Sequence, residues 1–505
     1  MPPAEREADH DDRAELAEHP LTALRLEKLA TLRSEGVDPY PVGSFAPDAH
    51  AADLLAEYEK LDPGSSTGRR VSMAGRLVGR RDLGKLVFGV LQDGTGRIQL
   101  FVEAATLGDQ MDGFRSVDIG DWLGVDGEIV TTKRGELSVK VDEFVLLSKS
   151  LRPLPEKWQG LQDVEKRHRR RYVDLIVNEE ARATMQARSA IVRTLRAAFE
   201  RRGFLEVETP MLQSQAGGAL AKPFVTHHNA LGIDMYLRVA PELYLKRLLV
   251  GGVERVFELN RNFRNEGTSP RHNPEFTMLE AYMAYADYHD IARLIEDVIS
   301  ETAVAVLGTS VVTFERREID LSPPFRRTTV LGALADHTGV EFDMAMDYTE
   351  VVRRSGSLDL EVDGGWGIGR IIMEVFDERV ESELWQPTFV FDYPVEVSPL
   401  ARAHRETSGL TERFELIIAG REMANAFSEL NDPLDQRARF ESQALARAEG
   451  DEEAHPIDED YLTALEYGMP PAGGLGIGVD RIVMILTGQS SIREVILFPA
   501  LRPEA

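Results

Sequence analysis

Between Val256 and Tyr285 the chain reads VFELNRNFRNEGTSPRHNPEFTMLEAYMAY, and polar and apolar positions alternate along both arms of that stretch. Phe257, Leu259 and Phe263 fall on one side; Glu258, Asn260, Asn262 and Arg264 fall on the other, which predicts a strand. Turn residues follow (Asn265, Gly267, Ser269, Pro270, Asn273, Pro274), and a second alternating run puts Phe276, Met278, Glu280 and Tyr282 on one face. The expectation is a long antiparallel hairpin whose polar face is too costly to bury without a purpose. A salt-bridged hairpin at a solvated sheet edge is the plainer alternative. Arg264, Glu266, His272 and Phe276 weigh against it, because together they can hold a triphosphate and a purine ring.

The rest of the chain divides by its patterning. Apolar positions 21, 24, 26, 29 and 32 predict a helix ended by Gly36, Pro39 and Pro41, and a short second helix over 51–61 precedes the linker PGSSTG. From 70 to 147 five short runs (VSMAGRLVG, LVFGVLQDG, RIQLFVE, WLGVDGEIV, LSVKVDEFVLL) are separated by turn signals, which predicts a small closed barrel of the OB type. A barrel built for stability alone fits the strand count equally. Phe88 and Gln99 tip the balance, offering a stacking ring beside an amide that can read a base edge. Residues 151–178 read as a Pro-containing connector with a basic run from Lys166 to Arg171, either a solvated face or an RNA-facing hinge. A helix over 181–202 leads into GFLEVETPML, a strand closed by Pro210, and 287–380 read as mainly helical with an insertion near 356–369. His227 and His228 have no third ligand at zinc spacing and read as structural.

Two further stretches carry chemistry. In RFELIIAGREMANAFSELNDP (413–433), a two-residue turn at Gly420 would put Glu415 and Glu422 on one face of a hairpin. Asn425, Phe427 and Glu429 then have the opposite parity, so a bulge must intervene if all are to reach one site. GGLGIGVDRIVMILTG (473–488) is a Gly-rich strand entering a helix that begins at Arg481. It is not a Rossmann fingerprint, since Val479 stands where a third Gly is needed, and no Gly-Lys-Ser/Thr makes it a P-loop.

Composition narrows the class. The chain has 505 residues, 43% of them hydrophobic, which is enough for more than one core. It has no cysteine, so disulfides, thiolate nucleophiles and cysteine–zinc sites are excluded, and a reducing compartment is expected. An acidic N-terminus without an apolar core and the lack of any membrane-length apolar run argue against export. The net charge of −27 argues against a general nucleic-acid coat, while leaving room for a local basic face.

FRNEG followed by RHNPEFT resembles motif 2 of the class II aminoacyl-tRNA synthetases; GFLEVETPML with Pro210 resembles motif 1, and GGLGIGVDRIVMILTG resembles motif 3. Within that class, GGALAKPF, RVAPELYLKRL, MLEAYMAYADY and REMANAFSELNDP resemble the bacterial lysyl-tRNA synthetases. The resemblance implies an α+β multidomain fold: an acidic tail over 1–20, a helical appendage over 21–66, an anticodon-binding OB barrel over 67–150, the connector 151–178, and a class II catalytic domain over 179–505 with an antiparallel sheet flanked by helices. It also implies roles. Arg264 would bridge the amino-acid carboxylate and the α-phosphate of ATP, and Arg481 would meet the γ-phosphate and cover an adenine packed on Phe276. Glu266, His272 and Asn273 would fix the nucleotide, and Glu415 and Glu422 would hold Mg²⁺. Glu429 with Tyr282 would bind the lysine ε-ammonium, Glu242 with Gly218 the α-amino group, and Asn425 the carboxylate, with Glu280 and Phe427 close by. Arg81, Phe88, Gln99 and Glu136 would line the anticodon site, and a cytoplasmic homodimer acting on tRNA(Lys) is implied. An asparaginyl or aspartyl enzyme shares barrel and motifs, but Glu429 would be unwelcome there. A non-catalytic tRNA-binding paralogue would have lost Arg264, Glu415, Glu422 or Arg481, and all are present.

Overall fold

A computed structural model describes residues 19–43, 45–155, 161–215, 217–219, 221–448 and 457–503. The acidic tail expected over 1–20 therefore falls outside the described residues up to Glu18. The chain forms two units, residues 1–160 and 161–505.

In the first unit, α1 (Pro20–Ser34) buries Thr22, Arg25 and Leu29 and exposes Leu21, Leu24 and Leu26. Of the apolar stripe only Leu29 is buried, so the docking face is a mixed one rather than the stripe as a whole. Arg25 is the anchor, donating to the carbonyl oxygens of Ile119 (2.7 Å), Arg152 (2.8 Å) and Ser150 (3.3 Å). The short α2 (Ala51–Glu57) follows; Asp93 accepts the Ala51 N–H at 2.7 Å. Strands β1 (Ser66–Asp82), β2 (Leu86–Gln92), β3 (Arg97–Glu103), β4 (Trp122–Thr131) and β5 (Leu137–Ser148) close into a barrel in the order β1-β2-β3-β5-β4. Alternation sends Val87, Leu91, Ile98 and Leu100 into its core. Between β3 and β4 lie two short helical segments, Ala104–Leu107 and Met111–Ser116, whose Leu107, Met111 and Phe114 join the same core.

The second unit begins with a correction. The stretch expected as a connector holds α3 (Val164–Arg169) and α4 (Arg171–Val177), and its basic run is largely neutralised. Arg167 pairs with Asp174 (2.9 Å) and Glu494 (3.1 Å), and the fully buried Arg171 pairs with Asp174 (2.6 Å) and donates to the Arg493 carbonyl (2.7 Å). These charges staple the C-terminal segment rather than form an open hinge.

After α5 (Glu179–Arg201), only Leu205–Glu206 form a strand, β6, before Pro210 turns the chain away. A small sheet of β7 (Leu212–Gln213), β8 (Val225–His228) and β9 (Ile233–Leu237) carries His227 and His228 on its exposed edge, with His227 2.7 Å from Asp234. Next come α6 (Glu242–Val250), β10 (Arg255–Phe263) and β11 (Glu275–Ala284), the last two paired without a break from Arg255↔Met283 to Phe263↔Glu275. Part of the polar face serves the fold, because Glu258 is buried against Arg238 at 2.7 Å. The region 287–380 is less helical than expected. After α7 (Tyr288–Leu307) comes a hairpin of β12 (Val311–Phe314) and β13 (Arg317–Asp320), then β14 (Arg326–Thr329) and helices Val330–Thr338, Tyr348–Gly356 and Ile368–Arg379. The hairpin turns on Glu315 and Arg316, both at positive φ (48° and 65°), so no Gly or Asn announces it. The stretch near 356–369 is an irregular link between two helices, held where the Glu396 carboxylate accepts the N–H groups of Gly367 and Gly369 at 3.0 Å.

With β15 (Thr388–Phe391), β16 (Arg413–Ile417), β17 (Glu422–Ser428) and β18 (Ala472–Gly478), the main sheet runs β14-β15-β16-β17-β18-β11-β10-β6, antiparallel apart from its outer β14–β15 and β10–β6 pairs. Phe257, Leu279, Ala281, Leu475 and Ile477 form one core with Ile191, Leu195 and Phe199 of α5 and Ile295 and Val298 of α7. Because strand side chains alternate, the residues between them point to the other face, where the cavity lies.

Candidate active site

A cavity of about 320 Å³ opens on that face. It is lined by Gly218, Glu242, Arg264, Glu266, His272, Asn273, Phe276, Glu280, Tyr282, Glu422, Asn425, Phe427 and Arg481. A larger neighbouring cleft of about 1290 Å³ shares His272, Glu422 and Arg481 and adds Glu415 and Arg413. Residues more than 200 positions apart in sequence thus meet at one place, brought there by adjacent strands β10, β11, β18, β17 and β16.

One end of the cavity is aromatic and cationic. The Arg264 guanidinium sits 5.2 Å over the Phe276 ring, and its buried Nε has no hydrogen-bond partner among the described residues. Arg481, three residues into α13 (Val479–Thr487), donates to the Glu422 carbonyl (2.7 Å) and carboxylate (3.1 Å) and lies 3.4 Å from His272. Burial and the Arg481 charge push the His272 imidazole below its ordinary pKa, so it is neutral at pH 7. Glu266 is exposed on the hairpin loop. Asn273 lines the cavity as expected, and its amide also braces the loop, donating to the Glu275 carbonyl (2.5 Å) and accepting from the Ala500 N–H (3.0 Å).

The hairpin of β16 and β17 turns at Ala419 and Gly420, both at positive φ (54° and 62°). Glu415 pairs with Asn425 and Leu416 with Ala424, but Ile417 pairs with Glu422, so Met423 is the extra residue of a bulge. That bulge reconciles the opposite parities of Glu422 and Asn425. Arg413, which sequence reasoning missed, braces the strand pair by donating to Asn425 (3.0 Å) and Glu415 (2.6 Å). Its only local signal is the two-residue spacing to Glu415. Burial and the nearby Glu422 raise the Glu415 carboxyl to about 8. Burial also works upward on half-buried Glu422, but Arg481 and Arg413 outweigh it and hold that carboxyl below its ordinary range.

The opposite end is acidic. Glu242, Glu280 and Glu429 are all buried. Burial and Glu242 raise Glu280 to about 8, and burial raises Glu429 to about 8 against the pull of Lys246. Glu429 does not line the cavity. It lies behind it in ion-pair contact with Lys246, and neither carboxylate oxygen receives a well-directed hydrogen bond among the described residues. A Cβ at Gly474 would land on Glu429 and on the Tyr282 ring, so only glycine fits there. Gly218, at φ +91°, is held to glycine as well, since its Cβ would come 3.0 Å from that of Glu242. Tyr282 lines the cavity, and its hydroxyl donates to Glu280 (3.2 Å). Lys246 was also overlooked; its signal is the four-residue spacing to Glu242 on one helix face.

On the barrel, Arg81 pairs across from Phe88 and Gln99 across from Ser138. The Ser138 hydroxyl donates to Gln99 (2.9 Å), and Phe88 packs against Phe101 at 5.6 Å between centroids. With Glu136 just before β5, these residues share the outer face of the barrel's adjacent strands.

Residues 163–502 match the family described as tRNA synthetases class II (D, K and N), and residues 71–147 match the OB-fold nucleic acid binding domain. The lysine–tRNA ligase of Carboxydothermus hydrogenoformans is 55% identical, covering 96% of this chain and 98% of that one. Those of Moorella thermoacetica (53%; 97% and 99% covered) and Gloeobacter violaceus (52%; 97% and 100%) are similar over the same extent. The chain belongs to the lysine–tRNA ligase family of class II tRNA synthetases. A class II synthetase is an ATP-dependent ligase, and the arginine- and phenylalanine-lined end of the cavity is the end suited to its nucleotide. Among the described residues, no helix is long and apolar enough to cross a membrane.

Proposed function

We propose that the protein joins L-lysine to ATP as lysyl-adenylate and transfers the lysyl group to tRNA(Lys), with the residues of the cavity in the following roles. The observation that carries this reading is the pairing, in one cavity, of an arginine–phenylalanine wall with a floor of buried carboxylates. Activation brings two anions together, a carboxylate and an α-phosphate, so the main demand is for positioned cations. Arg264 bridges the two reacting groups, and Asn425, held by Arg413, orients the amino-acid carboxylate. Arg481 covers the adenine ring from one side and Phe276 from the other, while Glu266 and neutral His272 complete the nucleotide wall. Glu242, against Gly218, takes the α-ammonium; Glu280, with Tyr282 donating to it and Phe427 beside it, meets the ε-ammonium, and Glu429, buried behind them, supplies the further negative charge that holds it. An aspartyl or asparaginyl substrate is disfavoured, since it offers this floor no side-chain cation.

Glu415 and Glu422 fit Mg²⁺. They are hard oxygen donors, and the mutual repulsion that raises Glu415 is what a dication relieves. Two carboxylates are too few for an all-protein cage, matching an ion whose remaining ligands are phosphate and water. Bound there, Mg²⁺ would supply charge neutralisation on the phosphates. Glu415→Gln or Glu422→Gln is expected to raise the Mg²⁺ concentration needed for half-maximal ATP–pyrophosphate exchange by about tenfold or more, with partial recovery at high Mg²⁺. A magnesium titration identical to that of the parent protein would remove the assignment.

The barrel reads the anticodon through Phe88 and Gln99, flanked by Arg81 and Glu136. Stacking on a base is worth ~1–3 kcal/mol, so Phe88→Ala is expected to weaken tRNA charging by about one to two decades while amino-acid activation stays nearly unchanged. Equal losses in both reactions would refute an independent reader. The family likeness extends the proposal to a homodimer working in the cytoplasm.

A further inference from the structure

The acidic end of the cavity contains a cation of its own. Lys246 has no solvent exposure and lies one turn beyond Glu242 on α6, so both side chains leave the same face of the helix. Its ammonium is 2.6 Å from a Glu242 oxygen and in ion-pair contact with Glu429, which follows β17. The rings of Phe427 (5.2 Å) and Tyr282 (5.9 Å) close over it. Buried Tyr461 of α12 (Glu459–Glu466; α11 is Pro433–Ala448) faces the same cluster, while Glu280 lies beyond Tyr282 and Arg413 acts on Glu242 from farther off.

With its carboxylates Glu242, Glu280 and Glu429 and its ammonium Lys246 all charged, this end carries two uncompensated negative charges. Free lysine brings two ammonium groups, and its carboxylate has Arg264 nearby. Without Lys246, the buried carboxylates would outnumber the arriving cations, and Glu242 and Glu429 would lose the ion that ties them together. We propose that Lys246 is the positioning residue of the lysine pocket: its buried ammonium clamps Glu242 to Glu429 and leaves the charge deficit that a diammonium amino acid fills. The inference rests on the assignment above of Glu242 and Glu429 as the carboxylates that hold the substrate's ammonium groups. It adds a residue that touches no reacting atom and acts through both of them.

The clamp also sets a proton linkage. Glu280 and Glu429 stand at about 8 without substrate, and two arriving ammonium groups pull both down. Lysine binding near pH 7 therefore releases protons, and lysine affinity rises with pH up to about 8. Taking away Lys246 removes the cation that opposes the rise of Glu429, so the plateau moves to higher pH and, near pH 8, where the parent group is only about half protonated, more protons are released.

The test compares full-length K246M, K246R and E429Q by steady-state exchange and by titration calorimetry with L-lysine near pH 8 in buffers of different ionisation enthalpy. For K246M the expected result is a lysine KM raised on the order of 30-fold, an ATP KM nearly unchanged, and a larger proton release. K246R keeps the charge but alters the reach; it is expected to restore the parent proton release and only part of the KM. If K246M lowers thermal stability while lysine KM and proton release stay at parent values, Lys246 merely fills space and the proposal is overturned. Should K246M not fold, K246Q, which keeps a polar chain but drops the charge, takes its place, and a parent-like lysine KM and proton release in it refute the clamp. An E429Q protein with unchanged lysine KM would instead overturn the underlying pocket assignment, whereas an impaired E429Q beside an unimpaired K246M overturns only the role of Lys246.

Discussion

Glutamine in place of Glu429 is expected to lower kcat/KM for lysine in ATP–pyrophosphate exchange by about two to three decades, with no recovery in raised Mg²⁺. Glu429 is buried, and among the described residues its oxygens have only the Lys246 ammonium as an ion-pair partner. Glutamine offers one neutral carbonyl acceptor where the carboxylate offered a negative charge and two acceptors, so a desolvated cation loses its counter-charge. Breaking such a pair from one side costs ~3–5 kcal/mol, and ~1.4 kcal/mol is one decade. The same exchange assay run over the other amino acids reports discrimination, which falls with the lysine rate because the charge that rejected neutral side chains is gone. Magnesium is irrelevant here, since Glu429 lies behind the cavity and away from the Glu415–Glu422 cleft. A loss below tenfold, or rescue by magnesium, would reverse the roles assigned within this hairpin.

Arg264→Ala is expected to slow adenylate formation by about two to three decades, chiefly in kcat. The guanidinium lies over Phe276 with a buried Nε that nothing in the described chain satisfies, so it is a cation poised for a ligand rather than a structural tie. Charge between carboxylate and phosphate develops as the two approach, so its neutralisation favours the transition state over bound substrates. Arg264→Lys is expected to recover only a small part, because an ammonium cannot span two oxyanions in the planar fork geometry. Single-turnover measurement of adenylate formation separates this from effects on tRNA transfer. An Arg264→Ala protein within tenfold of the parent rate would show that some other cation does the bridging.

Which features could be read in advance follows from how far their causes reach along the chain. The β10–β11 hairpin is evident from alternation because its pairing is local and its register follows from the loop between the arms. The bulge at Met423 is legible for the same reason, since the parities of Glu422 and Asn425 conflict without it. Conversely, α1 is anchored by Arg25 beside Leu29 while Leu21, Leu24 and Leu26 stay exposed, because the partners of Arg25 are carbonyl oxygens some 94 to 127 residues away that no helical period reports. The basic run of 166–171 reads as open charge until Glu494 arrives from 327 positions downstream of Arg167. The bond from the Ala500 N–H to the Asn273 amide oxygen, 227 positions apart, is equally absent from the local pattern.

By itself, the sequence determined the barrel, the motif-bearing strands and the identity of the charged groups in the cavity, since alternation, turn chemistry and residue type are properties of neighbouring positions. Only the tertiary structure decided which of those charges neutralise one another. Lys246 and Glu429 are 183 positions apart, yet the packing of α6 against the sheet puts them in contact inside a space too dry to leave either unpaired. Ion pairing in a low-dielectric interior depends on distance in space and on the water excluded, and neither is written in the local pattern.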